Sequence, residues 1–385
     1  MSRMRVLHVI TMLELGGAQR NTLDTVRLLD RTRFAPALAC ADQGELLSEA
    51  RALEDVPLFP LRQLRREVRP LQDGAAVAAL RRVIREVRPQ MVHTHSSKAG
   101  VVGRLAARLE SVPVVVHSIH GFGFGPHQSA PTRWLFLAAE RLVAPWTDHF
   151  IAVSRRNLED GLMLGLFDRR RVSLIRSGID LAAFRHPEGS RELRDRLGVP
   201  PHAPLVAQVA CFKPQKAPER FVAMARRVAA AHPEAHFVLV GDGVLRLRLE
   251  RLRREAGLEG RLHLPGWLRE VPAVLAAADV VTLTSRFEGL PRVVVEALTA
   301  GVPVAAMAVD GVAEAVLDGT NGYLVPPGDV AALAERVCRL LADPALRQRM
   351  AAAAPAGLAE FDRDLMVRQQ ETLYGELACQ SGWRW

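Results

Sequence analysis

Two glutamates eight residues apart in SRFEGLPRVVVEALTAGVP, Glu288 and Glu296, raise the first chemical question of this sequence. Glu288 stands in a Gly/Pro-punctuated loop, whereas Glu296 sits between Val293-Val294-Val295 and Ala297-Leu298. A carboxylate in such apolar company is costly to bury unless hydrogen-bond donors reach it. An arginine of the protein would serve. So would the adjacent hydroxyls of a vicinal diol, because one carboxylate accepts from both. Cations give a second clue. Nearly every basic residue is arginine, and the only lysines are Lys98, Lys213 and Lys216, in HTHSSKAG and CFKPQKAP. Lys213 and Lys216 flank a proline just ahead of a predicted helix; compact cations beside a helix N-terminus form a receptor for a diphosphate.

Histidines and glycines supply the rest. His93, His95, His117 and His120 invite a metal, but no carboxylate is near and no H-E-x-x-H spacing occurs. On a strand His93 and His95 share one face and Thr94 takes the other. His120, beside Gly121 and Gly123 at a strand end, is assigned to a site rather than to packed core. In MLELGGAQRNTL, Gly16 and Gly17 let backbone approach a ligand at the start of a helix. The turn is not G-x-G-x-x-G, and the acidic ribose ligand of a dinucleotide fold is not evident about 20 residues on, which argues against NAD.

The elements that must position these residues alternate along the chain. RVLHVI (5–10), PQMVHTH (89–95), VPVVVHSIH (112–120) and DHFIAVS (148–154) read as buried strands. AQRNTLDTVRLLDR and DGAAVAALRRVIREVRP carry apolar residues at helical spacing between them. After a polar, Pro-rich segment (185–204) come five more strand candidates: LVAQVA, HFVLVGDG, RLHLPG, DVVTLTS and VPVAAMAV. This βα alternation predicts an α/β protein of two doubly wound parallel-sheet units. Ligands of such sheets bind beyond the carboxyl ends of the strands. Pro291 is expected at the first position of the helix that carries Glu296. A last helical stretch, RDLMVRQQETLYGELACQ, is expected to pack back across the linker.

Composition excludes several classes. At 385 residues, 49% hydrophobic and 24% charged, the chain has the make-up of a two-domain globular protein. Its apolar runs fall well short of the roughly 20 residues that span a bilayer. The N-terminus reads as a first strand rather than a signal peptide. Cys40, Cys211, Cys338 and Cys379 are scattered without ligand-like spacing, and a reducing, cytoplasmic setting is the expectation. A net charge of +9 calls for an anionic partner. With 5% aromatics and no nucleic-acid motif, phosphorylated small molecules and anionic lipid remain. The Arg-rich stretch 61–89 is a candidate for lipid contact.

Taken together, these residues resemble the retaining GT-B glycosyltransferases of family 4. Glu288 and Glu296 look like the E-x7-E signature, and ELGGAQRNTL, VHTHSSKAGVVGRLAARL, HGFGF, AVSRRN, SGIDLAAF, QKAPERF, LVGDG and DGTNGYLVPPGD follow in the family order. The resemblance implies two Rossmann-like domains facing across a cleft: an acceptor-binding domain (1–184), a nucleotide-sugar-binding domain (185–365) and a returning helix (366–385). It implies a hexosyltransferase moving sugar from a nucleotide-diphosphate sugar to a glycan or lipid-linked acceptor in cell-envelope synthesis, without a metal or other cofactor. By resemblance, Glu296 holds the donor ribose, and Phe287, Glu288, Gly289 and Leu290 lie at the sugar and phosphates. Lys216, with Lys213, meets the diphosphate; Gly17 approaches it; Glu314 is a further donor contact. His120 borders the transferred sugar, and His95 and Lys98 lie on the acceptor side. Cys211 stands where the family often has arginine, with Lys213 as the substitute. Asp362-Arg363-Asp364, the one Asp-x-Asp, reads as a solvated face. The protein is placed in the cytoplasm or at the inner membrane face. A nucleotide-sugar 2-epimerase on a similar scaffold and a non-catalytic sugar-nucleotide binder stand as the alternatives.

Overall fold

The computed structural model describes residues 3–125 and 128–383. The chain divides into two compact units: Met1–Gly178 joined by Asp362–Trp385, and Ile179–Phe361.

The first unit is built on a seven-stranded parallel sheet: β1 (Met4–Ile10), β2 (Phe34–Cys40), β3 (Leu58–Pro60), β4 (Met91–His95), β5 (Val114–Ile119), β6 (His149–Ala152) and β7 (Val172–Leu174). Its order is β3-β2-β1-β4-β5-β6-β7. The chain winds outward from β1 in one direction and then outward from β4 in the other, so the switch point lies between β1 and β4. Residues in β1, β4 and β5 are buried almost without interruption, as strands covered by helices on both faces must be. Helix Arg363–Gln380 belongs to this unit. It buries Met366, Val367, Leu373, Tyr374, Leu377 and Ala378, a helical stripe, in the cluster formed by Met4, Phe34, Met91 and Val116. Asp362 caps it by accepting from the N–H groups of Asp364 and Leu365, which is the role of the Asp-x-Asp read as a solvated face.

The second unit carries six parallel strands: β8 (Leu205–Val209), β9 (His236–Val240), β10 (Leu262–His263), β11 (Val280–Leu283), β12 (Val304–Met307) and β13 (Gly322–Val325). The order β10-β9-β8-β11-β12-β13 repeats the doubly wound plan, with its switch point between β8 and β11. Gly241 follows β9 at φ +137, where a Cβ would lie 2.0 Å from the Ala210 carbonyl oxygen; only glycine fits that turn. The segment 185–204 is more than a linker, since it contains helix Ser190–Leu197.

Both doubly wound units agree with the expected α/β class. Strands β2, β3, β7 and β13 were not among those expected. β2 reads FAPALAC and lacks the β-branched residues that mark a strand. β3 and β7 have three residues each, too few to show a period.

Candidate functional site

The residues with chemical potential gather at the carboxyl ends of the central strands of each sheet. In the second unit, β8 leads into the turn holding Lys213 and Lys216, and helix Pro218–Ala231 follows. β11 leads into Ser285–Leu290 and then helix Arg292–Thr299. Parallel pairing of β8 with β11 sets these two loops side by side.

Lys216 Nζ donates to both oxygens of Glu288, at 2.6 and 2.7 Å. Ser285 Oγ donates to Glu288 Oε1 at 2.6 Å. Glu288 is buried, and these donors are what make a carboxylate tolerable there. Its backbone N–H donates to Asp310 Oδ2 at 2.5 Å. Asp310 opens the 3-10 turn Asp310–Glu314 after β12, at φ +41, a conformation Asp tolerates better than most side chains. Glu314 closes the same turn. Gln215 Nε2 donates to the Phe287 carbonyl at 3.1 Å, and the Arg286 N–H to the Gln215 carbonyl at 2.8 Å, so the two loops are stitched along their length. Gly289 and Leu290 are buried, and Phe287 is half-buried.

Glu296 is half-buried, with Arg292 one turn earlier on the helix at 3.7 Å. The carboxylate among valines therefore has an arginine beside it. Pro291 sits one position earlier than expected: it is the N-cap, with extended backbone, and Arg292 begins the helix.

In the first unit, Gly17 is exposed and begins helix Gly17–Leu28 directly after β1 and its loop. Lys98 lies in the first turn of helix Ser97–Leu109, where its ammonium pairs with Asp73 at 2.6 Å and donates to the Glu67 carbonyl. His95, expected on the acceptor side, is fully buried at the end of β4. His93 and His95 do share a face, their ring centroids 4.1 Å apart. Thr94 points the other way and meets His117 Nδ1 at 2.8 Å. His95 Nε2 meets His8 Nδ1, and His95 Nδ1 meets His120 Nε2, both at 3.1 Å. His93 bonds Tyr374 Oη at 2.5 Å through Nδ1 and Ser118 Oγ at 2.8 Å through Nε2. A small cavity lined by Ser96, Ser97, His117, Ser118, His120 and Phe122 lies beside these rings.

Burial holds His93, His95 and His117 neutral, well below the ordinary imidazole range. Burial, with the charge of Arg31 adding to it, pushes His8 down to about 3. His8, His93 and His95 each bring a ring nitrogen within 4.8 Å of the others. The donor set does not converge on an ion, however: both nitrogens of His93 and of His95 are engaged in the hydrogen bonds just described.

Ser285, Asp310, Gln215 and His8 are the residues that reading the sequence passed over. Ser285 stood inside the quoted SRFEG, and Asp310 directly follows VPVAAMAV, where an Asp next to a Gly in a turn was the available signal. His8 was hidden in the apolar run VLHVI.

Comparison with known proteins places this geometry. Residues 15–183 match the domain model described as Glycosyltransferase Family 4, and residues 189–356 the model described as Glycosyl transferases group 1. The chain is 30% identical over 350 residues to the Escherichia coli UDP-Gal:alpha-D-GlcNAc-diphosphoundecaprenol alpha-1,3-galactosyltransferase, covering 90% of each chain. It is 31% identical over 331 residues to the 2-deoxystreptamine N-acetyl-D-glucosaminyltransferase of Streptomyces fradiae, covering 81% of this chain and 78% of that one. In fold it resembles HepE of Anabaena, solved in complex with UDP-glucose, with a TM-score of 0.83 at 23% identity over 97% of this chain and 100% of that one.

Proposed function

Since the chain belongs to the GT-B glycosyltransferases, as a hexosyltransferase with a Family 4 domain followed by a group 1 domain, we propose that it moves a hexose from a uridine diphosphate sugar to a hydroxyl of a lipid-linked glycan, with retention of anomeric configuration and without a metal. One observation carries this reading: Lys216, Ser285 and Glu288 meet beyond β8 and β11, next to the start of helix Arg292–Thr299. The relative acting on a diphosphoundecaprenol-linked sugar and the neighbour holding UDP-glucose support the donor and acceptor classes.

The chemistry asked of the site is stabilisation of a departing diphosphate. As the bond to the anomeric carbon breaks, negative charge grows on the diphosphate oxygens. Lys216 and the N–H groups of 288–292 interact more strongly with that charge than with the intact donor, which is what lowers a barrier. Lys213, in the same turn, supplies the second cation where Cys211 replaces the usual arginine. Without donor, Glu288 balances the Lys216 charge; with donor bound, Lys216 is shared between carboxylate and phosphate. Phe287, Gly289, Leu290 and Glu314 surround the donor. Glu296 accepts from the ribose hydroxyls, with Arg292 holding its orientation.

A lipid-linked acceptor brings the protein to an anionic membrane surface. Among the described residues no helix is long and apolar enough to cross a membrane. The arginines expected to meet lipid are partly engaged: Arg81 and Arg85 both pair with Glu110. Helix Ala130–Val143 is the better contact. It leaves Trp134 (70%), Leu135 (55%) and Leu142 (66%) exposed, with Arg133 and Arg141 beside them.

The test is transfer itself. The protein is incubated with UDP-galactose, UDP-glucose and UDP-GlcNAc, with and without a short polyprenyl-diphosphate-linked GlcNAc, with and without EDTA. Acceptor-dependent UDP release that survives EDTA is the expected result. Epimerised donor in the absence of acceptor, or donor binding with no transfer to any acceptor, would refute the proposal.

A further inference from the structure

Backbone strain in the second unit collects at the candidate donor site. Among the described residues, its two non-glycine positions at positive φ are Ala217 (φ +43), next to Lys216, and Asp310 (φ +41), which opens the turn after β12. A side chain in that left-handed region costs energy that glycine avoids, and such positions persist where the surroundings hold them and cluster at functional sites. Ala217 is held through its main chain: the carbonyls of Lys216 and Ala217 lie 3.1 and 3.2 Å from Thr284 Oγ1, and Ala217 is the N-cap of helix Pro218–Ala231. Asp310 instead makes its contact through the side chain.

That contact is with one end of a peptide unit whose other end is also held. The N–H of Glu288 donates to Asp310 Oδ2 at 2.5 Å, and the carbonyl of the same peptide, that of Phe287, accepts from Gln215 Nε2 at 3.1 Å. In a planar trans peptide the N–H and the C=O point to opposite sides of the chain, so Asp310 and Gln215 grip the unit from both. The grip comes from two loops. Gln215 follows β8 and Asp310 follows β12, while β11, which delivers Phe287 and Glu288, pairs with both strands. Next along the chain is the Glu288 side chain, whose carboxylate takes two bonds from Lys216 and one from Ser285. The Lys216 ammonium is thus tied, through Glu288, to a peptide plane that Asp310 helps to fix.

We infer that Asp310 is a positioning residue, whose carboxylate locks the 287–288 peptide so that Glu288 holds Lys216 where charge develops on the leaving diphosphate. Of aspartate and glycine, aspartate is the costlier residue at φ +41 and the only one whose side chain can accept from Glu288. Groups already in place need not be reorganised as the reaction proceeds, which is where such a lock gains rate. This assignment rests on the transferase reading only for the diphosphate that Lys216 meets.

Asp310→Gly and Asp310→Asn separate this role from one in folding alone. Asparagine keeps an oxygen that accepts from the Glu288 N–H; glycine keeps none but suits the backbone. In transfer assays of the full-length protein, Asp310→Gly should lower kcat at least about tenfold with donor KM within about twofold of wild type. Asp310→Asn should stay within about threefold of wild type in both. The urea midpoint of Asp310→Gly should remain close to wild type, because relief of strain offsets the lost hydrogen bond. A second arm needs no activity. Hydrogen–deuterium exchange at the Glu288 amide of ligand-free protein, read by mass spectrometry, should be at least about tenfold faster in Asp310→Gly and unchanged in Asp310→Asn. Wild-type kcat in Asp310→Gly, equal losses in both variants, or unaltered exchange at Glu288 would overturn the positioning role. Should the wild type transfer no sugar at all, the function proposal fails while the exchange rates still decide whether Asp310 locks the peptide.

Discussion

Lys216 and Glu288 lie 72 residues apart and are brought together only because β8 pairs with β11. Each made sense locally in the sequence, a rare lysine before a helix and a carboxylate in a loop. Their meeting was not legible, because strand order is a property of the whole sheet. Removing the lysine has two consequences that different measurements separate. Lys216→Ala is expected to lower kcat at least about 100-fold, since the charge on the leaving diphosphate loses its main cation. It is also expected to destabilise the fold by roughly 2 kcal/mol, because a buried carboxylate loses a partner while keeping Ser285. Steady-state kinetics and urea unfolding report the two effects, and wild-type turnover would refute the assignment of Lys216. For Glu296, the sequence posed protein arginine against ligand diol, and the structure supplies the arginine, Arg292. That does not remove the diol. Glu296→Ala should raise the calorimetric Kd for UDP about tenfold, and an unchanged Kd would leave Glu296 as only a partner for Arg292.

Elements explain why the histidines are where they are. β1, β4 and β5 carry His8, His93, His95 and His117 into the centre of a sheet, all with pKa values depressed chiefly by burial. With folded pKa values below the unfolded 6.5, the unfolded chain binds more protons in acid. The stability these rings contribute is complete above about pH 6.5 and is lost as pH falls toward the folded values, about 3 for His8. Each contributes a slope of about 1.4 kcal/mol per pH unit across its window. Urea midpoints should therefore drop steeply between about pH 7 and 5, and more gently in His8→Phe. A flat profile would mean the rings titrate normally. The helix Arg363–Gln380 seals this core, and Tyr374→Phe strips His93 Nδ1 of its partner. A loss of about 1–3 kcal/mol is expected, read by the same unfolding curves. Strong βα alternation made the central strands legible, as β-rich apolar runs at 5–10, 112–120 and 278–285. Alanine-rich β2 and the three-residue edge strands stayed hidden, since there tertiary pairing decides what local propensity does not.

At the scale of the molecule, a net charge of +9 and an exposed apolar helix face both support the proposal that a basic protein reaches a lipid-linked acceptor at an anionic surface. The charge was visible in the sequence; the exposure of Trp134, Leu135 and Leu142 was not, because the pattern of a helix does not say which of its apolar residues a neighbour will cover. Replacing Trp134 and Leu135 by glutamate should weaken binding to phosphatidylglycerol vesicles at least about tenfold at low salt while leaving UDP affinity unchanged. Equal vesicle binding by the variant would move the contact elsewhere. The central claim is retaining transfer from a nucleotide sugar, and the anomeric configuration of the product tests it most directly. Galactose transferred from UDP-α-galactose to the polyprenyl-diphosphate-linked acceptor, examined by proton NMR, should give the small anomeric coupling of an α-linkage. A β-linked product, or a donor epimerised with no product formed, would contradict it.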